Sequence, residues 1–535
     1  MADWRTDTGG RDLSDWVSGW ARHLPEKPAI RYGDEIITYA DLADRVNRMA
    51  GVLRIDLGVG RGDRVAFLGL NSPRMLELLF ACARLGAMLV PLNWRLTESE
   101  LSVIVADSRP VAVVAEPAFH AVAEAVRGHA PGVRLVSCAD ASTVGWASLT
   151  ELVTRHGGAA EPRCGGYDSP VLICYTSGTT GKPKGAVLTQ GAMFWNAVNS
   201  AHMHDLRSTD RILTCSPLFH VGGLCIQTVP AFHAGATVTL HPRFDVSAFF
   251  DTVEAEKTTL IQLVPTQWHA LIAHPRWKTA DLSSIRLAVT GSTLVPGSLT
   301  ETLQDRGLDL IQVYGSTETG PIAVFSQPAN ARLFPTSTGR PAIHCDVRIV
   351  DDIGRDVPVG ERGEILVRGE NVMAGYWGDP QTSAEVLRDG WFHSGDIGHF
   401  DESGNMFVDD RKKDLIISGG ENIYPAALES ILYECADISE AAVVGRADPH
   451  WGERAIAVVV RQPGSRITGE EILALFEGRA ASYKLPKVVV FVDRLPRSGT
   501  GKLLKGEIRK MVAADEGEAA LSPHGAASKT QATTR

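Results

Sequence analysis

The sequence predicts an α/β protein: a large N-terminal domain of doubly wound parallel sheets with a β-rich subdomain, followed by a small α+β domain. Three observations lead there. Residues 64–115 and again 171–320 alternate apolar strand runs with helical segments at the spacing of βαβ units, the pattern of a parallel sheet covered on both faces. Residues 338–409 switch to short strands set among Gly and Asp turns. Beyond the charged run Asp410-Arg411-Lys412-Lys413-Asp414, mixed α/β patterning returns. The domains expected are therefore 1–411 and 412–514, with a small, polar and disordered tail over 515–535.

Each element has a local reason. Residues 64–70 (RVAFLGL) read as a strand. Ser72 caps the next helix and Pro73 opens it, where the missing N–H of proline is not needed. That helix runs to Leu85, Gly86 ends it, and residues 88–92 form the following strand. Thr97 and Glu100 stand in capping-box spacing at the head of another helix, and residues 111–115 form a third strand. Residues 130–170 are loop-rich. In the second domain, helices are expected near 425–435 and 469–482, and strands at 441–445, 455–461 and 488–492.

Composition narrows the function classes. The 535 residues are 44% hydrophobic and 22% charged, which excludes a mostly disordered, collagen-like or membrane-embedded chain. A net charge of −10 exerts no global pull on nucleic acid or anionic membrane, so the field for any anionic substrate must be local. The 8 cysteines are scattered without a CxxC pair, as in a reduced cytoplasmic protein. The N-terminus lacks the basic-then-apolar order of a secretory signal. Glu77 and Arg84 interrupt the most apolar stretch, 75–92, which reads as a helix running into a strand rather than a membrane span.

Five segments carry chemistry. The sharpest is Tyr175-Thr176-Ser177-Gly178-Thr179-Thr180-Gly181-Lys182-Pro183-Lys184-Gly185 after a strand. Freed backbone N–H groups, hydroxyls and two cations suit a polyphosphate. It is not a Walker A loop, because Thr176 stands where that motif needs its first Gly and Pro183 where it needs Ser or Thr. In Tyr314-Gly315-Ser316-Thr317-Glu318, the ring can stack on a base, Thr317 can bond a phosphate and Glu318 can hold Mg2+. A turn ending in a solvated glutamate reads the same way. Asp396, in Gly390-Trp391-Phe392-His393-Ser394-Gly395-Asp396, can accept both hydroxyls of a ribose, with Arg411 as a donor to the same sugar. Ser418-Gly419-Gly420-Glu421 precedes a helix, and Lys502 is flanked by Gly near the end of the chain.

In that order, these motifs resemble the adenylate-forming superfamily, specifically its acyl-CoA synthetase branch. The resemblance implies a large N-terminal domain and a small mobile C-terminal one. It implies that Thr176–Lys184 grip the phosphates of ATP, with Thr180 and Glu318 at the Mg2+. Gly291, Ser292, Thr293, Tyr314 and Gly315 would surround adenine, although Ser292-Thr293 departs from the family's Gly-Gly-Ala-Pro. Asp396 and Arg411 would bind ribose, Lys413 would be the hinge, and Ser418, Gly419, Gly420 and Glu421 would meet the pantetheine of CoA. His220 matches the family's histidine beside the acyl site.

The chemistry implied is activation of a carboxylate by ATP, giving an acyl-adenylate and pyrophosphate, then thiol attack by CoA to release AMP. Two anions meet in the first step, so Lys502 is expected to bridge carboxylate and α-phosphate, with Glu318 and His220 as the other catalytic residues. No protein nucleophile is needed. The acyl-pocket segments, 194–199, 219–226, 267–268, 289–291 and 321–324, contain no Arg or Lys, which disfavours a dicarboxylate. Gly222, standing where coumarate ligases carry a tyrosine, and Gly223 suggest room for an alkyl chain, and Trp268 reads equally as a pocket residue or a core residue. A medium- or long-chain fatty acid is the first expectation, and an aryl acid (feruloyl, coumaroyl or benzoyl type) the alternative. Rivals from other classes are transfer to a carrier protein, luciferase-like oxygenation, and an ATP-binding regulator without catalysis. The partners expected are the acid, ATP and CoA, without nucleic acid or a membrane segment, and with room for a homodimer.

Overall fold

The computed structural model describes residues 11–158, 162–176, 183–291, 295, 297–418, 421–448, 451–477, 479, 484–497 and 503–514, so the tail expected from 515 lies outside it. The chain divides between Asp409 and Asp410 into two compact units.

The first unit is built on two large sheets. One has eight strands, in the order Gly375–Tyr376, Lys184–Thr189, Pro170–Thr176, Met88–Leu92, Arg64–Leu68, Ala112–Ala115, Arg134–Ser137, Ala147–Ser148. The other has nine, in the order Arg340–Pro341, Val324–Phe325, Leu310–Tyr314, Leu287–Gly291, Leu260–Gln262, Arg211–Thr214, Thr237–Leu240, Pro28–Tyr32, Glu35–Thr38. The middle of each sheet is parallel, as the βαβ spacing implies. Antiparallel strands lie at both edges of the nine-stranded sheet and at one edge of the eight-stranded sheet, including the pair Pro170–Thr176 with Lys184–Thr189, whereas Ala147–Ser148 at its other edge is parallel. Strand alternation sorts the side chains into layers. Val65 and Phe67 share one core with Ile212, Leu287 and Val289. Ala66 and Leu68 face a second cluster, and Leu213, Ile261 and Ala288 a third. The largest core is therefore shared by the two sheets, and each sheet covers another on its far face.

The expected caps form. Ser72 Oγ accepts the amide of Arg74 at the start of helix Pro73–Leu85, which ends on Gly86 at φ 66°. Thr97 and Glu100 make a reciprocal box at the head of Glu98–Ser108. The span 130–170 holds more than loops: strands Arg134–Ser137 and Ala147–Ser148 and helix Leu149–Arg155. A separate antiparallel sheet contains Cys345–Val350, Gly363–Gly369, Leu387–Arg388 and Trp391–Phe400, the β-rich subdomain expected.

In the second unit, Gly452–Arg461 is central, flanked by Ile416–Ser418, Ile438–Asp448 and Val488–Phe491. Ala441 and Val443 face one cluster, Ala442 and Val444 the other. Helices Pro425–Tyr433 and Lys505–Ala514 cover opposite faces, through Leu428 and Leu432 on one and Ile508 and Val512 on the other. Of the helix expected near 469–482, the described residues form Gly469–Ala474. Among the described residues no helix is long and apolar enough to cross a membrane.

Candidate active site

Both large sheets bring expected residues to the carboxyl ends of strands, where ligands of open α/β sheets bind. Thr176 ends Pro170–Thr176, Gly291 ends Leu287–Gly291 and Tyr314 ends Leu310–Tyr314. Thr176 pairs with Lys184 across the hairpin that carries the phosphate loop, and its Oγ1 donates to the Lys184 carbonyl at 3.4 Å. Ser177, Gly178, Thr179, Thr180, Gly181 and Lys182 lie outside the described residues, as do Ser292, Thr293, Gly419, Gly420 and Lys502.

After Tyr314 the chain turns so tightly that Gly315 has no room for a side chain: a Cβ there would lie 1.8 Å from the Pro321 carbonyl oxygen. This turn sets Glu318 in the short 3-10 helix Thr317–Thr319, with Thr317 itself buried. Tyr314 Oη donates to Asp396 Oδ2 at 2.9 Å, so residues read from two separate motifs meet. The Asp396 amide is anchored on Ser394 Oγ at 3.0 Å. A ring beside a carboxylate suits a nucleoside, one face for a base and two oxygens for hydroxyls.

Glu318 is held at two points. Its carbonyl accepts the Met373 amide at 2.8 Å, and its Oε1 accepts the phenol of Tyr376 at 2.8 Å. Lys184 Nζ sits 5.4 Å from the centroid of the same Tyr376 ring, within cation–π range. Tyr376 thus joins the phosphate hairpin to the acidic turn. Sequence reasoning misses it, because no spacing distinguishes this tyrosine from any other in a strand. Among the described residues no three His, Cys, Asp or Glu side chains gather as a metal group. One carboxylate linked to a phosphate hairpin fits Mg2+ carried by a nucleotide, since Mg2+ takes few protein ligands and keeps phosphate oxygens and water.

His220 follows strand Arg211–Thr214 and caps the helical turn Val221–Gly223. Its Nδ1 accepts the Gly222 amide at 3.0 Å, so the neutral ring carries its proton on Nε2. The adjacent Phe219 carbonyl accepts the Cys174 thiol at 3.6 Å. Packing bears on two of the residues expected at the acyl pocket. Trp268 has no accessible surface and belongs to the cluster of Leu213, Phe249, Phe250 and Leu271, so it is a core side chain rather than a pocket wall. Gly223 packs against backbone, since a Cβ there would lie 2.3 Å from the Pro217 carbonyl oxygen.

In the second unit, the Arg411 amide donates to Asp410 Oδ1 at 2.8 Å, and the exposed Lys413 lies in the 3-10 turn Lys412–Asp414 just past the division. Ser418 pairs with Glu421 across a hairpin. An antiparallel bridge pairs Arg497 with Leu503. Next to it, Lys505 Nζ meets Glu429 Oε1 at 2.8 Å, both side chains nearly buried. Burial works against the Lys505 charge, but Glu429 and Asp410 outweigh it and raise its pKa above the ordinary lysine value. This pair is also invisible in the sequence, where a lysine and a glutamate far apart read as solvated charges.

Comparison with known proteins agrees with this layout. The AMP-binding enzyme family matches residues 17–377, and the AMP-binding enzyme C-terminal domain matches 427–502. An indoleacetate–CoA ligase of Aromatoleum aromaticum is 53% identical over 504 residues, covering 94% of this chain and 98% of that protein. A feruloyl-CoA synthase of an Amycolatopsis species is 46% identical over 498 residues, covering 93% and 98%. The crystal structure of an anthranilate–CoA ligase with anthranoyl-AMP superposes with a TM-score of 0.88 at 26% identity, over 94% of this chain and 98% of that one. The chain belongs to the AMP-binding enzyme family, in the acid–thiol ligase branch of the adenylate-forming superfamily.

Proposed function

We propose that this enzyme is an aryl-acid–CoA ligase, joining an aromatic carboxylic acid to CoA through an acyl-adenylate and releasing AMP and pyrophosphate. The observation that carries the aryl reading is the full-length likeness to the indoleacetate and feruloyl ligases. It reverses the order of the two expectations, and the fatty-acid reading gives way. The segment 194–199 supports an apolar ring. Its amides are engaged in the framework, Asn196 with the Cys225 carbonyl and the Ile322 amide, Asn199 with Cys345 Sγ and the His344 amide. They are not available to recognise a second carboxylate.

In this reading Lys184 and the rest of its loop hold the ATP phosphates, while Tyr314, Asp396 and Arg411 hold the nucleoside. Glu318 holds Mg2+, which neutralises phosphate charge when bound. Lys502 draws the carboxylate and the α-phosphate together, and His220 lies by the acid. Lys413 is the hinge, and the Ser418–Glu421 hairpin receives the pantetheine arm.

The test is a CoA-ligation screen with purified protein over arylacetates, hydroxycinnamates, benzoates and C2–C18 fatty acids. An aryl acid is expected to exceed every fatty acid in kcat/KM by about tenfold or more. A fatty acid at the top overturns the aryl reading. Acid-dependent pyrophosphate–ATP exchange without transfer to free CoA overturns the ligase reading in favour of another acceptor.

A further inference from the structure

We propose that Tyr376 is a positioning residue that sets the metal carboxylate Glu318 and the phosphate lysine Lys184 at a fixed separation before the nucleotide arrives. The inference rests on the reading of Glu318 as the Mg2+ carboxylate.

The geometry is a brace of five residues. The Met373 amide donates to the Glu318 carbonyl at 2.8 Å. The Ala374 amide then donates to the Val187 carbonyl at 2.9 Å, and the Trp377 amide to the Gly185 carbonyl at 2.7 Å. Gly375 and Tyr376 pair with Val187 and Ala186 as the edge of the eight-stranded sheet. One short strand is thus bonded to the acidic turn at one end and to the phosphate hairpin along its length. The Tyr376 side chain repeats the link: its hydroxyl donates to Glu318 Oε1, and its ring lies beneath Lys184 Nζ. Trp377 anchors the far end, its Nε1 donating to the Asp107 carbonyl at 3.3 Å with the Arg64 guanidinium 5.2 Å from its ring.

Each contact has a consequence. The phenol donates to one carboxylate oxygen of Glu318 and leaves the other for a cation. It fixes one oxygen of Glu318 and thereby the direction of the other. The ring contact restrains a long, flexible lysine whose ordering otherwise opposes phosphate binding. The two functions belong to different atoms, which makes them separable.

The test uses Tyr376→Phe, which removes only the hydroxyl, and Tyr376→Leu, which removes the ring as well. ATP affinity is measured by calorimetry with and without Mg2+, beside the Mg2+ dependence of acid-dependent pyrophosphate–ATP exchange. Tyr376→Phe is expected to raise the Mg2+ half-saturation about tenfold and to shrink the Mg2+-dependent gain in ATP affinity, with metal-free ATP affinity kept. Tyr376→Leu is expected to weaken metal-free ATP binding in addition. A Tyr376→Phe enzyme with the wild-type Mg2+ profile and affinity gain overturns the proposal, as does an equal loss of affinity with and without metal. Glu318→Gln separates the two levels. If it keeps the wild-type Mg2+ dependence, the metal reading of Glu318 fails. If it loses that dependence and Tyr376→Phe does not, only the proposed role of Tyr376 fails.

Discussion

His204 is fully buried on helix Gln190–His204, and its two nitrogens have different partners. Nδ1 lies 2.8 Å from the Ser200 carbonyl and so carries the proton; Nε2 lies 3.1 Å from the Gln227 amide nitrogen and so accepts. This network satisfies the neutral ring and leaves no acceptor for a second proton. Burial lowers its pKa to about 4, the nearby Arg286 guanidinium acting in the same direction, while the Ser200 carbonyl and Asp210 oppose it. The folded value lies below the unfolded one, so the unfolded chain binds the extra proton first. Stability from this site is full above about pH 6.5, is lost as the pH falls toward 4, and amounts to about 3 kcal/mol. His204→Gln is expected to flatten the fall of the urea midpoint between those values relative to wild type. An unchanged slope refutes the assignment. The same scale shows where sequence reading stops. Tyr314, Glu318 and Asp396 stood out because glycines and hydroxyls surround them. The partner Tyr376 did not, because a hydrogen bond between distant residues leaves no mark in either segment.

Elements were legible where their signals are local. The caps at Ser72 and at Thr97 with Glu100 lie within a few residues of the helices they start. The antiparallel edges of both large sheets were not legible, since a strand has the same period of two whichever way its neighbour runs. Buried charge is hidden for a similar reason. Glu77 reads as a break in an apolar run, yet its side chain is inaccessible and answers to Arg74 at 2.8 Å and Arg45 at 3.6 Å. The most consequential hidden pair ties two helices of the second unit. Glu429 Oε1 on Pro425–Tyr433 accepts both Lys505 Nζ, at the start of Lys505–Ala514, and the Val443 amide at 2.8 Å. Arg509 reinforces the same helix through Asp414 at 3.1 Å. Removing one member strands a buried charge, so Lys505→Met is expected to cost about 3–5 kcal/mol in denaturant unfolding. Adding Glu429→Gln removes the stranded charge while an amide oxygen still serves Val443, and should recover most of that loss. A double variant no more stable than Lys505→Met alone contradicts the argument.

At the scale of the molecule, a net charge of −10 sits on an enzyme whose substrates are anions. In the proposed reading the cations that matter are therefore few, Lys184 in the first unit and Arg411, Lys413 and Lys502 in the second. Their division follows the chemistry. Adenylation brings a carboxylate against an α-phosphate, and a positive charge at that junction is worth most where the transition state concentrates negative charge. Thioester formation is different: CoA attacks an uncharged acyl carbon already activated by AMP, and about a few per cent of thiolate at pH 7 suffices without a protein nucleophile. On the proposed function, Lys502 would belong to the first step alone and the Ser418–Glu421 segment to the second. Both lie beyond the division at Asp409, and Lys413, a few residues past it, is the hinge that the proposed function calls for. Lys502→Ala is expected to lower acid-dependent pyrophosphate–ATP exchange by about 10²–10³. Given synthetic aryl-AMP and CoA, the same variant should form thioester at close to the wild-type rate. Equal loss in both half-reactions means that Lys502 holds the unit together rather than the reacting anions, and the division of labour fails with it.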